Sequence, residues 1–304
     1  MKPTYCSTYS RVFLISALVF LCNVLIAIHQ EKNQCAIHQE KNHCGYSKEV
    51  ESSLNLGFSA ANFRHHLSTF TAKELRQIAS PWTMVDQRQF EIALDAVIQV
   101  NKEKIPGDIV ECGVWKGGMS MSMAIVNLRY DTQRHFWLFD TFEGLPEPTS
   151  EFDDEIAKKH YSDLNAGLMT EKVKNSLVNR GMEEGKWNYG PLDVVKNNMR
   201  YTTYPSENIH FIKGKVEETL LNSALPEKIA ILRLDTDWYE STKAELDILW
   251  DRLQPGGLLL VDDYCHWKGA KNAVDHFFAS KLGLNAEEIS KSTPCLHYWK
   301  PHIK

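Results

Sequence analysis

Four aspartates follow two apolar segments of the sequence and could gather at one point in the fold. Asp235 and Asp237 end one apolar run. Asp262 and Asp263 end the next one along the chain. Side chains two residues apart in an extended chain point to the same side, and the ends of neighbouring parallel strands lie about 5 Å apart. If the two runs form neighbouring strands, the sequence predicts a cluster of four carboxylates.

Four carboxylates without a partner would repel one another and raise one another's pKa values. A divalent cation relieves this repulsion, and a site built from oxygen ligands favours Mg²⁺, Ca²⁺ or Mn²⁺ over zinc. Ion pairs with Arg233 or Lys243 are the structural alternative, because a basic side chain can balance the same charge. We favour the cation.

A glycine-rich turn lies upstream, in the segment GDIVECGVWKGGMSMSMA (107–124). The pattern predicts a strand, a tight turn and the start of a helix, where glycines let the backbone approach a ligand closely. Neither the dinucleotide fingerprint Gly-x-Gly-x-x-Gly nor a phosphate loop is present. The segment matches the E-x-G-x-x-x-G turn of S-adenosylmethionine enzymes, with a plain strand-to-helix turn as the alternative. The candidate ligand-binding residues are Glu111, Gly113, Gly117, Gly118 and Ser120.

Asp140 ends the next predicted strand, in FWLFD (136–140). An acid at the end of the second strand of a nucleotide-binding fold can accept hydrogen bonds from both ribose hydroxyls of an adenosine ligand. A solvated strand-end aspartate is the alternative. The glycine turn after the preceding strand favours the ligand-binding role.

The elements that must position these residues alternate between strand and helix. This alternation predicts an α/β fold with a doubly wound, mostly parallel sheet, in which ligands bind beyond the carboxyl ends of the strands. The predicted strands are 108–112, 136–140, 209–213, 229–235 and 258–262. The predicted helices are 87–102, 119–128, 193–199, 217–221 and 241–252, from their apolar periodicity.

Two further segments complete the predicted domain. Residues 141–208 are far longer than a usual crossover, which predicts an insert or lid over the site. The apolar run CLHYW (295–299) predicts an edge hairpin that closes the sheet.

Composition limits the classes of partner. The chain has 304 residues, 43% of them hydrophobic, and a formal net charge of −5. A nucleic-acid-binding protein would favour a basic face, so we expect no nucleic-acid partner. The balance instead fits a domain that handles a small ligand and receives its cation from outside.

The N-terminus differs from the rest of the chain. Residues 12–28 contain seventeen residues without a charge, which predicts an uncleaved signal anchor in preference to a cleaved signal peptide. A duplicated nonapeptide, AIHQEKNQC and AIHQEKNHC, then indicates a polar stalk. The predicted division is an anchor or signal peptide (1–28), a stalk and connector (29–80) and a catalytic domain (81–304). We expect a single-pass membrane protein of the secretory pathway, secreted if the segment is cleaved.

The four motifs VECGVWKGG, FDTFEGLP, LRLDTDWYEST and PGGLLLVDDY together resemble the macrocin O-methyltransferase family, over about residues 81–278. The resemblance implies a Rossmann-like class I methyltransferase that uses S-adenosylmethionine and Mg²⁺ to methylate sugar hydroxyls. It implies Asp235, Asp262 and Asp263 as metal ligands. It implies Asp237 as the general base.

Two other interpretations stay open. A membrane-anchored, metal-dependent glycosyltransferase would also carry an anchor, a stalk and a D-x-D motif, but it gives no role to the glycine turn or to the D-D-Y pair. A catalytically inactive interaction module would normally lack one of the acids or glycines.

The acceptor is expected to be a small-molecule or glycan hydroxyl. A homo-oligomer is left open, as is a disulfide between Cys35 and Cys44.

Overall fold

A computed structural model describes residues 68–130, 134–165, 186–292 and 295–302. The strands are β1 (Asp108–Cys112), β2 (Phe136–Asp140), β3 (Ile209–Lys213), β4 (Ile229–Leu234), β5 (Leu253–Val261) and β6 (Leu296–Trp299). The helices are α1 (Ala72–Ala79), α2 (Gln87–Lys102), α3 (Gly118–Asn127), α4 (Glu155–Asn165), α5 (Leu192–Tyr201), α6 (Val216–Asn222), α7 (Tyr239–Leu249), α8 (Lys268–Phe277) and α9 (Ala286–Ser290).

The strands form one sheet in the order β3-β2-β1-β4-β5-β6. All neighbouring pairs are parallel except β5 with β6, which is antiparallel. The predicted α/β fold with a mostly parallel sheet is confirmed. Strand order reverses between β1 and β4, so the crevice beyond their carboxyl ends is the expected ligand site of such a fold.

The predicted strands agree closely with the observed ones at the centre of the sheet. All six residues of β4 are buried, as expected for a parallel strand covered on both faces. This strand ends at Leu234, one residue earlier than predicted. β5 begins at Leu253 instead of residue 258, because QPGG (254–257) stays extended through a register shift against β4. The apolar run near the C-terminus forms the edge strand β6, as predicted, and it pairs antiparallel with β5. The two strands do not form a hairpin, because α8 and α9 lie between them in the chain.

The long segment between β2 and β3, residues 141–208, is called the insert below. Its described part contains α4 and α5, and residues 166–185 lie outside the description. Asp153 of the insert accepts a hydrogen bond from the Tyr239 backbone N–H at 2.9 Å. The insert is therefore fixed to the start of α7, next to the carboxyl end of β4.

The predicted membrane-anchored location is contradicted. Across the described ranges, no helix has both the length and the apolarity to cross a bilayer. The longest helix in those ranges, α2, has 16 residues, or about 24 Å against a hydrocarbon thickness of about 30 Å. The apolar segment 12–28, the nonapeptide repeat and the Cys35–Cys44 pair lie outside the described residues. No anchor is assigned.

The carboxyl ends of β1 and β4 approach each other closely. The Asp235 backbone N–H donates to the Cys112 carbonyl at 2.8 Å. Gly113 follows with φ +81°, and a Cβ there would overlap the Asp235 carbonyl oxygen. Glycine at this position lets the turn after β1 lie directly beside the first aspartate of the D-x-D motif.

We predict that Gly113→Ala lowers the free energy of unfolding by about 3 kcal/mol or more, from the left-handed φ plus the overlap with Asp235. Gly283→Ala is the matched control, because Gly283 also has a left-handed φ (+65°) but has nothing within 4 Å of the added Cβ. The control should cost about 1 kcal/mol. Urea denaturation of both variants measures the difference, and equal costs would contradict the close approach.

Candidate active site

A cavity of about 530 Å³ lies at the carboxyl ends of the strands, within the size range of small-ligand pockets. The turn after β1, the end of β2, the D-x-D and D-D-Y motifs and the described part of the insert all border it. The predicted donor-binding and metal-binding motifs thus share one cavity.

Asp235, Asp262 and Asp263 come together as predicted. One carboxylate oxygen from each lies within 4.8 Å of the other two. Asp235 follows β4 directly, while the other two begin the 3₁₀ turn Asp262–Cys265 after β5. Pairing of Leu234 with Val261 across β4 and β5 places these residues side by side. The arrangement could hold one divalent cation through oxygen ligands.

Asp237 lies beside this group in a different way from the prediction. The strand has already ended, and Asp237 has a left-handed backbone with φ +68°. Its backbone N–H donates to Oδ2 of Asp263 at 2.9 Å, and its side chain borders the cavity. The turn, and not the period-two geometry of an extended strand, sets its position. A non-glycine residue in this conformation is uncommon and often marks a functional site.

Arg233 is the basic residue at the centre of the cluster. Only 2% of it is exposed. Its guanidinium nitrogens lie 2.7 Å from Glu111 and 2.8 Å from Asp235. They also lie 3.0 Å from Asp262. The alternative of an Arg233 ion pair is therefore realised in part, whereas Lys243 pairs with Asp247 instead. The sequence signal was available, since Arg233 interrupts a buried strand.

One arginine balances only part of the charge on five neighbouring carboxyl groups. Burial raises the pKa of Asp262 to about 7, with the Asp235 charge adding to the effect and Arg233 opposing it. Burial also raises the pKa of Glu111 to about 7 against the opposing charge of Arg233. The pKa values of Asp237 and Asp263 are raised well above normal, again chiefly by burial. Without a further cation, the cluster retains protons near neutral pH.

The predicted donor-site residues divide into two groups. Glu111, Gly113 and Asp140 border the cavity. Gly117 caps α3 with φ +85° and lies behind the cavity wall. Gly118 donates its backbone N–H to the Trp82 carbonyl at 2.8 Å, and a Cβ there would lie 2.5 Å from the same oxygen.

Ser120 also lies behind the cavity wall. It is fully buried, and its hydroxyl donates to Glu111. Gly117, Gly118 and Ser120 therefore shape and support the turn, whereas the prediction placed them against the ligand.

Asp140 holds the turn after β1 in place. Its Oδ2 accepts the backbone N–H groups of Val114 at 2.7 Å and Trp115 at 3.0 Å. Its Oδ1 accepts the N–H of Phe142 at 2.6 Å. The Thr141 hydroxyl also lies 3.5 Å from Oδ1. A carboxylate has about four lone-pair sites, so each has a contact within the protein. Recognition of two ribose hydroxyls by Asp140 alone is therefore constrained by its backbone contacts.

Sequence reasoning missed two tryptophans that border the cavity, Trp187 and Trp267. Trp187 belongs to the insert, whose sequence pattern does not indicate which of its residues face the cavity. Trp267 lies four residues after Asp263, so its nearness to the D-D-Y motif was a usable signal.

Comparison with known proteins connects this geometry to a family. The family model described as Macrocin-O-methyltransferase (TylF) matches residues 20–190 and 189–300. The chain belongs to the macrocin-O-methyltransferase family. The predicted resemblance is confirmed, and the match begins well before the motifs that carried it.

Individual proteins similar to this chain are also O-methyltransferases. A Streptomyces olivaceus enzyme, 8-demethyl-8-(2,3-dimethoxy-alpha-L-rhamnosyl)-tetracenomycin-C 4'-O-methyltransferase, is 30% identical over 219 residues, covering 72% of this chain and 75% of the relative. The Streptomyces niveus demethyldecarbamoylnovobiocin O-methyltransferase is 30% identical over 224 residues, covering 72% of this chain and 77% of the relative. The solved structure of the O-methyltransferase NovP is 26% identical with a TM-score of 0.55, covering 73% of this chain and 83% of that one.

These matches support the predicted enzyme class. The protein is an O-methyltransferase that uses S-adenosylmethionine. The glycosyltransferase interpretation finds no support in the comparisons, which return methyltransferases.

We predict that, in EDTA, the free energy of unfolding falls as the pH rises from about 4 to 7. Asp262 and Glu111 have folded pKa values of about 7, above their ordinary values near 4. Their protonated forms stabilise the folded state, so this contribution is complete below pH 4 and is lost as the pH passes 7. A difference of one pKa unit corresponds to about 1.4 kcal/mol, so the decline should reach several kcal/mol.

The matched variants are Asp262→Asn, which should flatten this decline, and Asp247→Asn, which should preserve it. Asp247 is a half-exposed partner of Lys243 on α7. Urea denaturation at several pH values provides the measurement. A decline of equal size in both variants would show that the buried cluster is not its source.

Proposed function

We propose that the protein transfers a methyl group from S-adenosylmethionine to a hydroxyl of a sugar or glycosylated acceptor, with Mg²⁺ or another divalent cation held by Asp235, Asp262 and Asp263. The main support is that three ligand oxygens lie within 4.8 Å of one another in the cavity that also contains the glycine turn. The buried Asp237 borders the same cavity.

The charge balance of the cluster fits a bound cation. Arg233 faces Glu111 and two of the three proposed ligands, while Asp263 has no ion pair with it among the contacts of the described residues. A divalent cation would supply the remaining positive charge and lower the pKa of a substrate hydroxyl. Asp235 and Asp262 are partly exposed to the cavity, with 27% and 17% of their side chains accessible. Both carboxylates can therefore bind a cation from the cavity side.

Asp237 is proposed as the general base. Its carboxylate takes the proton from the acceptor hydroxyl as the methyl group moves from the donor sulfur to the acceptor oxygen. Burial and the Asp235 charge raise the pKa of Asp237, and a hydrogen bond from the Trp267 side chain lowers it. The backbone bond to Asp263 holds the base at a fixed place relative to the proposed metal ligands. Proton acceptance requires this close placement.

The turn after β1 is proposed to bind the donor. Gly113 and the peptide groups held by Asp140 border the cavity. Asp140 would accept a ribose hydroxyl in place of the long 3.5 Å contact from the Thr141 hydroxyl. Donor binding here leaves the D-x-D side of the cavity for the acceptor. The two substrates would then meet across the turn that joins β1 to α3.

The acceptor class comes from the names of the relatives. One is named for a rhamnosyl acceptor, and another is mycinamicin III 3''-O-methyltransferase, 28% identical over 225 residues. We propose that this chain likewise methylates a sugar hydroxyl. Leu145, Pro146 and Trp187 of the insert border the cavity and are proposed to cover the acceptor and exclude water. The domain boundaries 1–28, 29–80 and 81–304 and a homo-oligomer stay predictions.

The direct test is transfer of a labelled methyl group from S-adenosylmethionine to a panel of methyl pyranosides and aryl glycosides, with Mg²⁺ or with EDTA. We expect a methylated glycoside only with the metal. Transfer that is equal in EDTA would exclude the metal, and no transfer to any member of the panel would exclude the sugar acceptor.

We predict that Asp237→Asn slows turnover by about 10²–10⁴-fold, the usual range for a lost general base. The variant should bind S-adenosylhomocysteine normally, because the amide is nearly isosteric and Asp237 is not a proposed metal ligand. Asp262→Ala is the comparison variant, and it should need a higher Mg²⁺ concentration for activity.

Mg²⁺ titration separates these two roles. Excess Mg²⁺ should restore much of the activity of Asp262→Ala and little of the activity of Asp237→Asn. Recovery of wild-type turnover by Asp237→Asn at high Mg²⁺ would make Asp237 a ligand in place of a base.

A further inference from the structure

Three tryptophan rings meet edge-to-face beside the carboxylate cluster, and we call Trp187, Trp238 and Trp267 the tryptophan triad. The ring centroids lie 5.7 Å apart for Trp187 and Trp238, and 5.4 Å apart for Trp238 and Trp267. Trp187 and Trp267 are 5.8 Å apart. These distances fall within the favourable range for aromatic pairs. Each ring therefore packs against the other two.

Each member of the triad is attached to a different part of the proposed site. Trp238 directly follows Asp237. The Trp267 backbone N–H donates to the Asp263 carbonyl at 3.0 Å, which ties this indole to the D-D-Y motif. The Trp187 carbonyl accepts a hydrogen bond from the Leu145 backbone at 2.7 Å, which ties the third indole to the start of the insert. The triad thus joins the segments that carry the base, the proposed metal ligands and the insert.

The three rings differ in exposure. Trp238 is 4% exposed, and its indole N–H donates to the Pro146 carbonyl at 2.9 Å. Trp187 and Trp267 are only partly buried, and both border the cavity. Packing of the hydrophobic core accounts for Trp238 alone. The two other rings leave apolar surface open next to acidic groups, which is unusual for a core cluster and typical of a binding surface.

We infer that Trp187 and Trp267 form an acceptor subsite for the apolar C–H face of a pyranose ring, with Trp238 as the support that holds both indoles. This inference rests on the proposed sugar-hydroxyl methylation. A pyranose presents C–H groups on its ring faces and hydroxyls around its rim. Contact of the C–H face with the indoles would bury apolar surface on both molecules and leave a rim hydroxyl directed toward Asp237.

The electrostatics of the triad favour this type of ligand. The face of an aromatic ring carries negative potential, which attracts weakly positive C–H groups and disfavours an anion. The subsite therefore selects a neutral sugar ring over an acidic one, such as a uronic acid.

The test uses the full chain with Mg²⁺ and labelled S-adenosylmethionine, and it measures kcat and KM for the methyl pyranoside that the wild-type protein methylates fastest. Trp187→Ala should raise KM for that pyranoside about tenfold or more, from the loss of one stacking surface. The value of kcat should change less than threefold, about 0.6 kcal/mol, because the base and the proposed metal ligands are intact. Trp187→Phe should recover part of the loss in KM.

Trp299→Ala is the matched control. Trp299 is 37% exposed on the edge strand β6, outside the cavity. This variant should keep both kinetic constants of the wild-type protein. Calorimetry with S-adenosylhomocysteine should give the same affinity for all variants, since the donor is placed on the other side of the cavity.

The outcomes separate the inference from the proposed function. If the wild-type protein methylates a pyranoside and Trp187→Ala leaves KM unchanged, the subsite is wrong while the function stands. If Trp187→Ala loses kcat and donor affinity together, the indole has a structural role and the subsite is also wrong. If the wild-type protein methylates no pyranoside, the proposed function fails and the inference fails with it.

Discussion

Accumulation of negative charge around one buried arginine is the constraint on which this site depends. Arg233 is the second-last residue of a fully buried strand and contacts Glu111, Asp235 and Asp262. Removal of an arginine from such a position would leave several buried carboxylates unpaired, which is among the most costly changes in a protein interior. Its single charge also leaves the cluster incompletely balanced. Arg233 therefore offsets part of the negative charge of the cluster, and the remaining negative charge would favour a bound cation.

The sheet maintains this arrangement through local backbone geometry. Parallel pairing of β4 with β5 aligns the two acidic motifs, and Gly113 lets the turn after β1 approach Asp235 closely. The left-handed turn at Asp237 then directs a further carboxylate to the same cavity. Each feature is local, but together they place the groups proposed for donor binding, acid–base chemistry and metal binding within one cavity. Rigid placement of this kind is a major source of enzymatic rate enhancement.

The cavity has two chemically distinct sides. Near β1 and β2, Asp140 uses its oxygens to hold backbone N–H groups, so the proposed donor side is formed largely by peptide groups of an ordered turn. Near β4 and β5, carboxylates lie next to indole rings of the tryptophan triad. A methyl transfer between a positively charged donor and a neutral hydroxyl needs this combination, with a fixed donor site, a proton acceptor and an apolar surface for the second substrate. The family assignment agrees with the chemistry of the cavity.

The sequence by itself determined the α/β fold, most strand positions, the family and the grouping of Asp235, Asp262 and Asp263, because apolar period and motif order are local properties of the chain. Tertiary structure decided the rest. Arg233 gained its role only when β1, β4 and β5 brought three acids around it. Gly118 and Ser120 proved to support the turn from behind, since helix packing sets which side of a turn faces a ligand. Trp187 reached the cavity through the insert, a contact between residues distant in sequence that no local pattern encodes.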